Sequence, residues 1–244
     1  MRTHIFLTGT LFFLLLSSCS KEELGNDQNS EQPTVTDISE FLDQNNSTTD
    51  FDKLVNNNYE RALQLLNDNK QGKSNICSLE FEFATSDVTE LAPDHFNYVT
   101  TILINDSADE VWQTMRDFDN MPNWSTTLQG ITGDLENGGP ILLESAAPPG
   151  FGTGNLVLPF ENSSYQDGVG YGYSGSVAIA PAITVAYNSF VIPLSSCHSL
   201  FVITESIQGD DPAITAAEAV SLAVSFEFGK NAFKTQLKAE VESN

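Results

Sequence analysis

The segment that decides the fold is Asn105–Trp124, which reads NDSADEVWQTMRDFDNMPNW. Ser107 and Glu110 form the S-x-x-E pattern of a capping box, which is typical of a helix start. Apolar residues then follow at helical spacing, at Val111, Trp112, Met115 and Phe118. The segment therefore predicts an amphipathic helix over Ala108–Phe118.

Both flanks of this helix are also informative. The run Phe96–Ile104 (FNYVTTILI) is rich in β-branched and aromatic residues, and it predicts a strand that leads directly into the helix. Pro122 interrupts the helical pattern, and Trp124 closes a short second helix. The predicted order is therefore a strand, a capped helix and a short helix.

The middle third of the chain predicts strands and turns. The candidate strands are Leu128–Gly133, Ile141–Glu144, Asn155–Phe160, Val169–Ala178, Thr184–Ile192 and Leu200–Ile207. Consecutive short strands without intervening helices favour an antiparallel meander. A long helical pattern then runs from Ala213 to about Glu242, with apolar positions at Val220, Val224, Phe228, Phe233 and Leu237. Its three lysines, Lys230, Lys234 and Lys238, suit the negative end of the helix dipole and can pair with carboxylates.

The segment before this region predicts an extension. Apolar residues at helical spacing within Asp50–Asn69 predict a helix that packs on the domain from outside. Leu79, Phe81 and Phe83 alternate with glutamates, which predicts a short, half-buried strand.

This order of elements resembles the helix-grip (START-like, SRPBCC) superfamily and, within it, the polyketide cyclase/dehydrase-like group. The resemblance covers roughly residues 96–244 and rests on Ala108–Trp112, Asp117-Phe118, Pro122–Trp124, Tyr187–Phe190 and Asp210–Pro212. It implies an α+β fold in which a curved antiparallel β-sheet wraps around a long C-terminal helix, with two short helices after the first strand. The sequence departs from the family in its middle strands, which carry no Lys or Arg, and in a Pro/Gly-rich insert at Ala146–Gly154, which is expected to be a lid or a surface loop.

The resemblance also implies an elongated apolar cavity between sheet and helix, which in the family holds lipids, polyketides or other hydrophobic molecules. Aromatic and apolar residues that are candidates for its lining are Trp112, Phe118, Trp124, Tyr171, Tyr173, Phe190, Val224 and Phe228. The alternative for these residues is an ordinary close-packed core.

Charge restricts the classes of partner. The chain has 244 residues and a formal net charge of −23, which argues against binding to nucleic acid or to anionic membrane surfaces. No Lys or Arg occurs from Asp117 to Gly229. A hydrophobic or neutral small molecule is therefore the expected ligand, if there is one.

The N-terminus predicts export. Arg2 and the apolar run Ile5–Leu16 suit a signal peptide and are too short to span a bilayer. Leu16-Ser17-Ser18-Cys19 resembles the lipobox of bacterial lipoproteins, in which Cys19 would become the acylated N-terminus; the alternative is an ordinary secretory signal. By that resemblance, Ser20 favours the outer membrane, and Lys21-Glu22-Glu23 is similar to the tether of surface lipoproteins in Bacteroidetes.

These observations predict four regions. Residues 1–18 form the signal peptide, residues 19–49 a flexible polar tether, residues 50–94 the helix and strand extension, and residues 95–244 the helix-grip domain. The predicted location is the cell envelope, on either face of an outer membrane.

Motifs for catalysis, metal binding or cofactor binding are not found. His95 and His198 lack neighbouring ligands at metal spacing, and a role in acid/base catalysis stays open for His198. Glu144, Glu161 and Glu205 lie on or beside predicted strands, where the solvent face is the favoured position and a cavity-facing general acid the alternative. We therefore expect no metal, no cofactor and no assembled catalytic site.

Cys77 and Cys197 are the two cysteines left after Cys19 is acylated. In an oxidising compartment they are a candidate disulfide, and two buried thiols are the equal alternative.

The leading functional hypothesis is a lipid-anchored envelope protein that binds a lipid or polyketide-like molecule in an internal cavity. One alternative is a cyclase or dehydratase-like enzyme that uses a cavity carboxylate or histidine. The other is a structural or interaction lipoprotein without a ligand.

Overall fold

The computed structural model describes residues 49–70, 75–147 and 154–243. The predicted signal peptide, Cys19, the tether up to residue 48 and the centre of the Pro/Gly-rich insert lie outside the described residues. Within the described ranges the chain forms four α-helices and nine β-strands.

The elements follow one another in the order that the sequence predicts, with two additional strands, β1 and β6. The helices are α1 (Thr49–Lys70), α2 (Ala108–Arg116), α3 (Met121–Trp124) and α4 (Pro212–Val241). The strands are β1 (Ala84–Ala92), β2 (His95–Ile104), β3 (Leu128–Gly133), β4 (Ile141–Ala146), β5 (Asn155–Phe160), β6 (Asn162–Gln166), β7 (Gly170–Val177), β8 (Ala180–Ser195) and β9 (His198–Gly209).

The strands form two antiparallel sheets. The larger sheet has the order β1-β2-β9-β8-β7-β6, and the smaller one has the order β3-β4-β5. The last strand, β9, returns to lie between β2 and β8, so the six-stranded sheet is a meander only from β6 to β9. The sheet is curved, and the 30-residue α4 packs against its inner face. This is the predicted α+β helix-grip architecture.

Local sequence signals explain the start of α2. The Ser107 hydroxyl accepts a hydrogen bond from the Glu110 N–H at 3.2 Å, which confirms the predicted cap. Val111, Trp112 and Met115 are buried, because they share the side of the helix that faces the core. The helix ends at Arg116, two residues before the predicted end.

The outer face of the larger sheet is covered by α1. Phe51, Val55 and Leu66 of this helix belong to a hydrophobic cluster with Val99 of β2 and Val202 of β9. Strands β2 and β9 are therefore buried on both faces, on one side by α1 and on the other by α2 and α4.

The strand predicted over Leu79–Phe83 does not form a ladder; the ladder with β2 begins at Ala84. Residues 79–83 are nonetheless tied to the sheet, since the Leu103 N–H donates to the Phe83 carbonyl at 2.8 Å. Residues 79–83 do alternate between more and less buried positions, as predicted, but the residues that pair with β2 lie further along the chain.

The apolar side of α4 also differs from the prediction. Val220, Val224 and Phe228 are exposed, with 46%, 63% and 66% of their surface accessible. The first half of the helix instead turns Ala219, Leu222 and Ala223 inward, whereas Phe233 and Leu237 are buried as predicted.

Cys77 and Cys197 are joined by a disulfide, with 5.5 Å between their Cα atoms. Cys77 lies in a short 3₁₀ helix, Ile76–Ser78, and Cys197 lies in the turn between β8 and β9. The bond therefore fastens the segment between α1 and β1 to this turn.

Reduction of this disulfide is expected to lower the free energy of unfolding by about 2–4 kcal/mol, because the bond closes a long loop in the unfolded chain. Urea unfolding with and without a phosphine reductant measures the difference. A Cys77→Ser/Cys197→Ser variant serves as the control, because its midpoint should not respond to the reductant. An equal midpoint for the reduced and oxidised wild type would contradict the expectation.

Candidate functional site

A cavity of about 520 Å³ lies between α4 and the inner face of the sheets. Its volume falls within the range of roughly 300–1,000 Å³ that is common for small-molecule sites. Most of its lining is apolar, including Leu143, Leu158, Phe160, Val185, Ile203 and Phe233. The cavity is thus suited to a mainly hydrophobic molecule.

One part of the cavity wall carries charge. Glu205 on β9 forms a salt bridge with Lys230 on α4, and both side chains are buried, with 3% and 9% of the residue accessible. Among the residues that line the cavity within the described ranges, these two are the only charged ones. The pair is therefore a neutral but strongly polar site in an apolar surrounding.

The sheet register explains why the carboxylate points inward. Glu205 is directly paired with Tyr98 on β2 and with Tyr187 on β8, and Tyr187 is in turn paired with Tyr173 on β7. Residues that are directly opposite on neighbouring strands point to the same face of the sheet. A row of one carboxylate and three tyrosines therefore crosses the inner face.

Aromatic rings surround the lysine. The Lys230 Nζ lies 5.7 Å from the ring centres of Tyr98 and Tyr187 and 4.7 Å from that of Phe226. Tyr187 is also stacked on Tyr173, with 4.7 Å between the ring centres. Cation–π attraction within such a cage adds to the attraction of the carboxylate for the ammonium group.

Burial changes the protonation chemistry of this wall. It lowers the pKa of Lys230 well below the ordinary value, because the charged ammonium loses its hydration. It raises the pKa of Tyr173 and Tyr187 well above the ordinary value for the same reason, and the neighbouring tyrosines add to the rise. Both phenols are therefore hydrogen-bonding groups and not anions at neutral pH.

The two other lysines of α4 also point inward, towards β1 and β2. Lys234 donates to the backbone oxygens of Thr85 at 2.7 Å and Thr101 at 3.3 Å, and to the Thr100 hydroxyl. Lys238 donates to the Leu103 carbonyl at 2.9 Å and forms a salt bridge with Glu242 at 3.2 Å. These lysines fasten α4 to the sheet and do not line the cavity.

The lowered pKa of Lys234 predicts how the stability of the protein changes with pH. Burial lowers its pKa from 10.5 to about 8, so the unfolded chain binds more protons than the folded one between these values. Stability should therefore rise with pH from about 8 towards 10, an effect to which Lys230 contributes with the same sign. Above pH 10 the buried tyrosines reverse the trend, because the unfolded phenols ionise first.

Urea unfolding from pH 7 to pH 11 measures this profile. In Lys234→Met the rise should be smaller than in the wild type, because one of the two buried amines is removed. Tyr173→Phe is the matched control, and it should reduce the fall above pH 10 while leaving the rise in place. A Lys234→Met profile that is parallel to that of the wild type would contradict the assignment.

One part of the cavity lining is accessible to solvent. It includes Thr126, in the loop before β3, which is exposed, and Gln236 of α4, which is partly buried. The Gln236 amide donates to the Thr126 hydroxyl at 2.6 Å, and its oxygen accepts from the Thr126 N–H at 3.0 Å. The exposed ring of Phe228 lies at the same cavity.

The predicted cavity residues are distributed over several places. Tyr173 and Phe228 line the cavity, and Trp124 packs behind it, 5.3 Å from the Phe233 ring. Phe190 is buried in the outer cluster under α1, and Val224 is exposed, so neither lines the cavity.

Three further candidates lie near the C-terminal end of α2. The Trp112 indole donates to Asp167 at 3.1 Å, and Phe118 and Tyr171 make an edge-to-face contact at 5.4 Å. Phe118 borders a second cavity of about 690 Å³, whose lining includes Arg116, Asp134 and Glu136. This second cavity is more polar and separate from the first.

The histidines are not part of the cavity. His198 is buried beside the disulfide, where its ring nitrogens contact the Ser195 hydroxyl at 2.9 Å and the Leu79 carbonyl at 3.0 Å. His95 contacts the Ser206 hydroxyl at 3.2 Å. The acid/base role that was left open for His198 has no support from this position, because the ring is buried outside the cavity.

The three strand glutamates differ in their exposure to solvent. Glu144 and Glu161 are exposed, as favoured from the sequence, whereas Glu205 is buried in the cavity wall. The solvent position expected for Glu205 is therefore wrong. Glu205 is buried because the ammonium group of Lys230, a partner that the sequence does not identify, neutralises its charge.

The described residues contain no cluster of His, Cys, Asp or Glu that could hold a metal ion. None of the helices in the described ranges combines the length and the hydropathy that a membrane span requires.

Comparisons with known proteins agree with the architecture. No family model matches the sequence, and no curated protein matches it either. The di-domain aromatase/cyclase BexL from the BE-7585A biosynthetic pathway is similar over 63% of this chain, with 11% identity and a TM-score of 0.50. The matched part spans 52% of BexL, about half of that protein.

Two other solved structures are similar at lower scores. The Zhui aromatase/cyclase from Streptomyces sp. R1128 has 15% identity over 61% of this chain and 94% of its own, with a TM-score of 0.47. A START superfamily protein from Mycobacterium smegmatis has 12% identity over 57% and 98%, with a TM-score of 0.36. At these identities the likeness concerns the fold alone. The sheet order, the long C-terminal helix and the similarity to BexL together show that this chain has the helix-grip fold.

Proposed function

We propose that the protein is a lipid-anchored component of the cell envelope that binds a hydrophobic, uncharged small molecule in the cavity between α4 and the sheet. The observation that carries the proposal is the apolar cavity of about 520 Å³ that contains one neutral ion pair. The similarity to BexL, an aromatase/cyclase, supports polyketide-like aromatic molecules as one class of ligand to test.

The cavity is not filled by the protein's own side chains. Close packing is the rule in protein interiors, and a space of this size loses dispersion contacts unless a ligand or water restores them. The third hypothesis, a structural lipoprotein without a ligand, requires a filled interior. The geometry therefore favours binding.

Native mass spectrometry of the purified protein tests binding directly. We expect a co-purified molecule or, after its extraction, a higher melting temperature in the presence of long-chain alcohols, ketones or polyketide-like aromatics. Ala232→Trp places a large ring in the cavity and should abolish the effect, because Ala232 lines it. Ala239→Trp, on the exposed side of the same helix, is the matched control. A protein that neither carries nor responds to any such molecule would refute the proposal.

Export and anchoring are a separate part of the proposal. The lipobox-like Leu16–Cys19 supports acylation of Cys19, and the Cys77–Cys197 disulfide suits an oxidising compartment. Labelling of cells with an alkyne fatty acid should mark the wild type and a Cys77→Ser/Cys197→Ser variant, but not Cys19→Ala. Equal labelling of Cys19→Ala would refute the anchor and leave ligand binding untouched.

One observation favours a second candidate function, a cyclase or dehydratase-like enzyme. The Glu205 carboxylate and the Lys230 ammonium lie together in the cavity wall, where a carboxylate can accept a proton from a bound substrate and an ammonium group can donate one. Turnover of a short β-polyketone thioester by the wild type, with loss in Glu205→Gln, would support this function. Binding of that compound without turnover would support the binding function alone.

A further inference from the structure

We propose that the Glu205–Lys230 pair selects the head group of the ligand: it admits an uncharged hydroxyl or carbonyl group, and Glu205 is the residue that excludes carboxylates. This inference rests on the proposed binding function and deepens it. It names fatty alcohols, ketones and related neutral molecules as the ligand class, in preference to fatty acids.

The geometry places the polar group of a ligand at this pair. Glu205 and Lys230 lie in a wall that is otherwise made of rings and aliphatic side chains. Three aromatic rings, those of Tyr98, Tyr187 and Phe226, enclose the ammonium within 5.7 Å. An amphiphilic ligand therefore gains most when its polar end meets the pair and its apolar part fills the remaining cavity.

The charge of the pair decides which polar ends are accepted. A hydroxyl group can donate to the carboxylate and accept from the ammonium, so no charge is left without a partner. A ligand carboxylate would bring a second negative charge to one buried ammonium, and one of the two carboxylates would then lack a partner in an apolar interior. A ligand ammonium group meets the same difficulty with the opposite sign.

No other charge in the described cavity lining can compensate. The polar residues of the wall apart from the pair are neutral hydroxyl and amide side chains and the two tyrosines, whose pKa values are raised by burial. The second lysine of α4, Lys234, is occupied by three oxygens of β1 and β2 and is not part of the lining. The selectivity therefore depends on the pair alone.

The inference is tested by comparing the affinities of a neutral and two charged ligands, first in the parent protein and then in variants that lack one charge of the pair. Displacement of the neutral fluorophore N-phenyl-1-naphthylamine gives the relative affinities of decanol, decanoate and decylamine at neutral pH. The protein is the full chain with Cys19→Ala, which avoids acylation. In this background we expect decanol to bind at least about tenfold more tightly than either charged ligand.

Two single variants should change the order in opposite directions. Glu205→Gln leaves the Lys230 ammonium without its partner, so decanoate should become the best of the three ligands. Lys230→Met leaves the Glu205 carboxylate, so decylamine should become the best. If both variants keep the order of the parent protein, the inference is wrong although the binding function stands. If the parent protein binds none of the three ligands and no fluorophore, the proposed function itself fails.

A third variant covers the case in which the single changes prevent folding. Glu205→Leu/Lys230→Met removes both charges and has no buried unpaired ion, so it is expected to fold. In this variant the preference for decanol over methyl decyl ether, which has no donor group, should disappear. An unchanged preference would overturn the inference.

Discussion

Replacement of Glu205 by leucine is expected to lower the free energy of unfolding by about 3–5 kcal/mol, because it leaves the Lys230 ammonium buried without a counter-charge. Both members of the pair are almost inaccessible, at 3% and 9%. Little of either side chain is therefore in contact with bulk water that could replace the lost carboxylate. Urea unfolding at pH 7, followed by circular dichroism, measures the change.

The double variant Glu205→Leu/Lys230→Met distinguishes the lost pair from a packing defect. Removal of both charges should restore most of the stability or exceed that of the wild type, because an apolar pair has no desolvation penalty. Glu144→Leu, an exposed glutamate on β4, is the matched control and should change the stability by less than about 0.5 kcal/mol. If the double variant is less stable than Glu205→Leu, the destabilisation arises from shape and not from charge.

Replacement of Leu66 by alanine is the second change with a large expected effect, about 2–5 kcal/mol. Leu66 lies on α1 and has 2% of its surface accessible, in contact with the cluster that covers the outer face of β2 and β9. Its truncation should leave a cavity between helix and sheet. A single cooperative transition at a lower urea concentration is therefore expected.

The alternative for α1 is a helix that is only loosely attached to the domain. In that case Leu66→Ala would change the helical signal at low urea and leave the main transition in place. Gln64→Ala, on the exposed side of the same helix, is the control and should behave like the wild type. The comparison decides whether residues 50–94 are part of the folding unit or an extension of it.

Strongly patterned segments allowed much of the fold to be predicted from sequence. The capping residues Ser107 and Glu110 lie where the pattern placed them, and strands β3 and β5 have the predicted bounds. The missed strands were β1 and β6, which are rich in Thr, Ser, Asp, Asn and Gln. Their pairing depends on the neighbouring strands β2 and β7, and composition alone does not show it.

The position of Glu205 could not be decided from the sequence, for a physical reason. Inward and outward residues of a strand alternate, and the inward set here includes Ile203 and Ile207. The outward residue Val202 is just as apolar, because α1 covers that face. A strand that is buried on both sides shows no polar face, so its one carboxylate was assigned to solvent.

The pairing of Lys230 with a carboxylate agrees with the prediction from the sequence, but its burial was missed for a related reason. Lysines near the end of a helix usually serve the helix dipole and the solvent, so their burial is unexpected. On α4 the three lysines recur at every fourth position and follow the inward side of the helix. The exposed side carries Val220, Val224 and Phe228 instead, which reverses the usual distribution.

The hydrogen bonds between Gln236 and Thr126 bear on how fast the proposed ligand would enter and leave the cavity. They join α4 to the loop before β3 at a solvent-accessible part of the cavity lining, whereas the charged pair is buried. Each such bond contributes only about 0.5–1.5 kcal/mol, so the two can break together by thermal motion at modest cost. If the proposed ligand passes this part of the wall, its rate of exchange depends on Gln236 and Thr126, whereas the proposed selectivity depends on Glu205 and Lys230. Substitutions at one pair of residues would then change one property and leave the other unchanged.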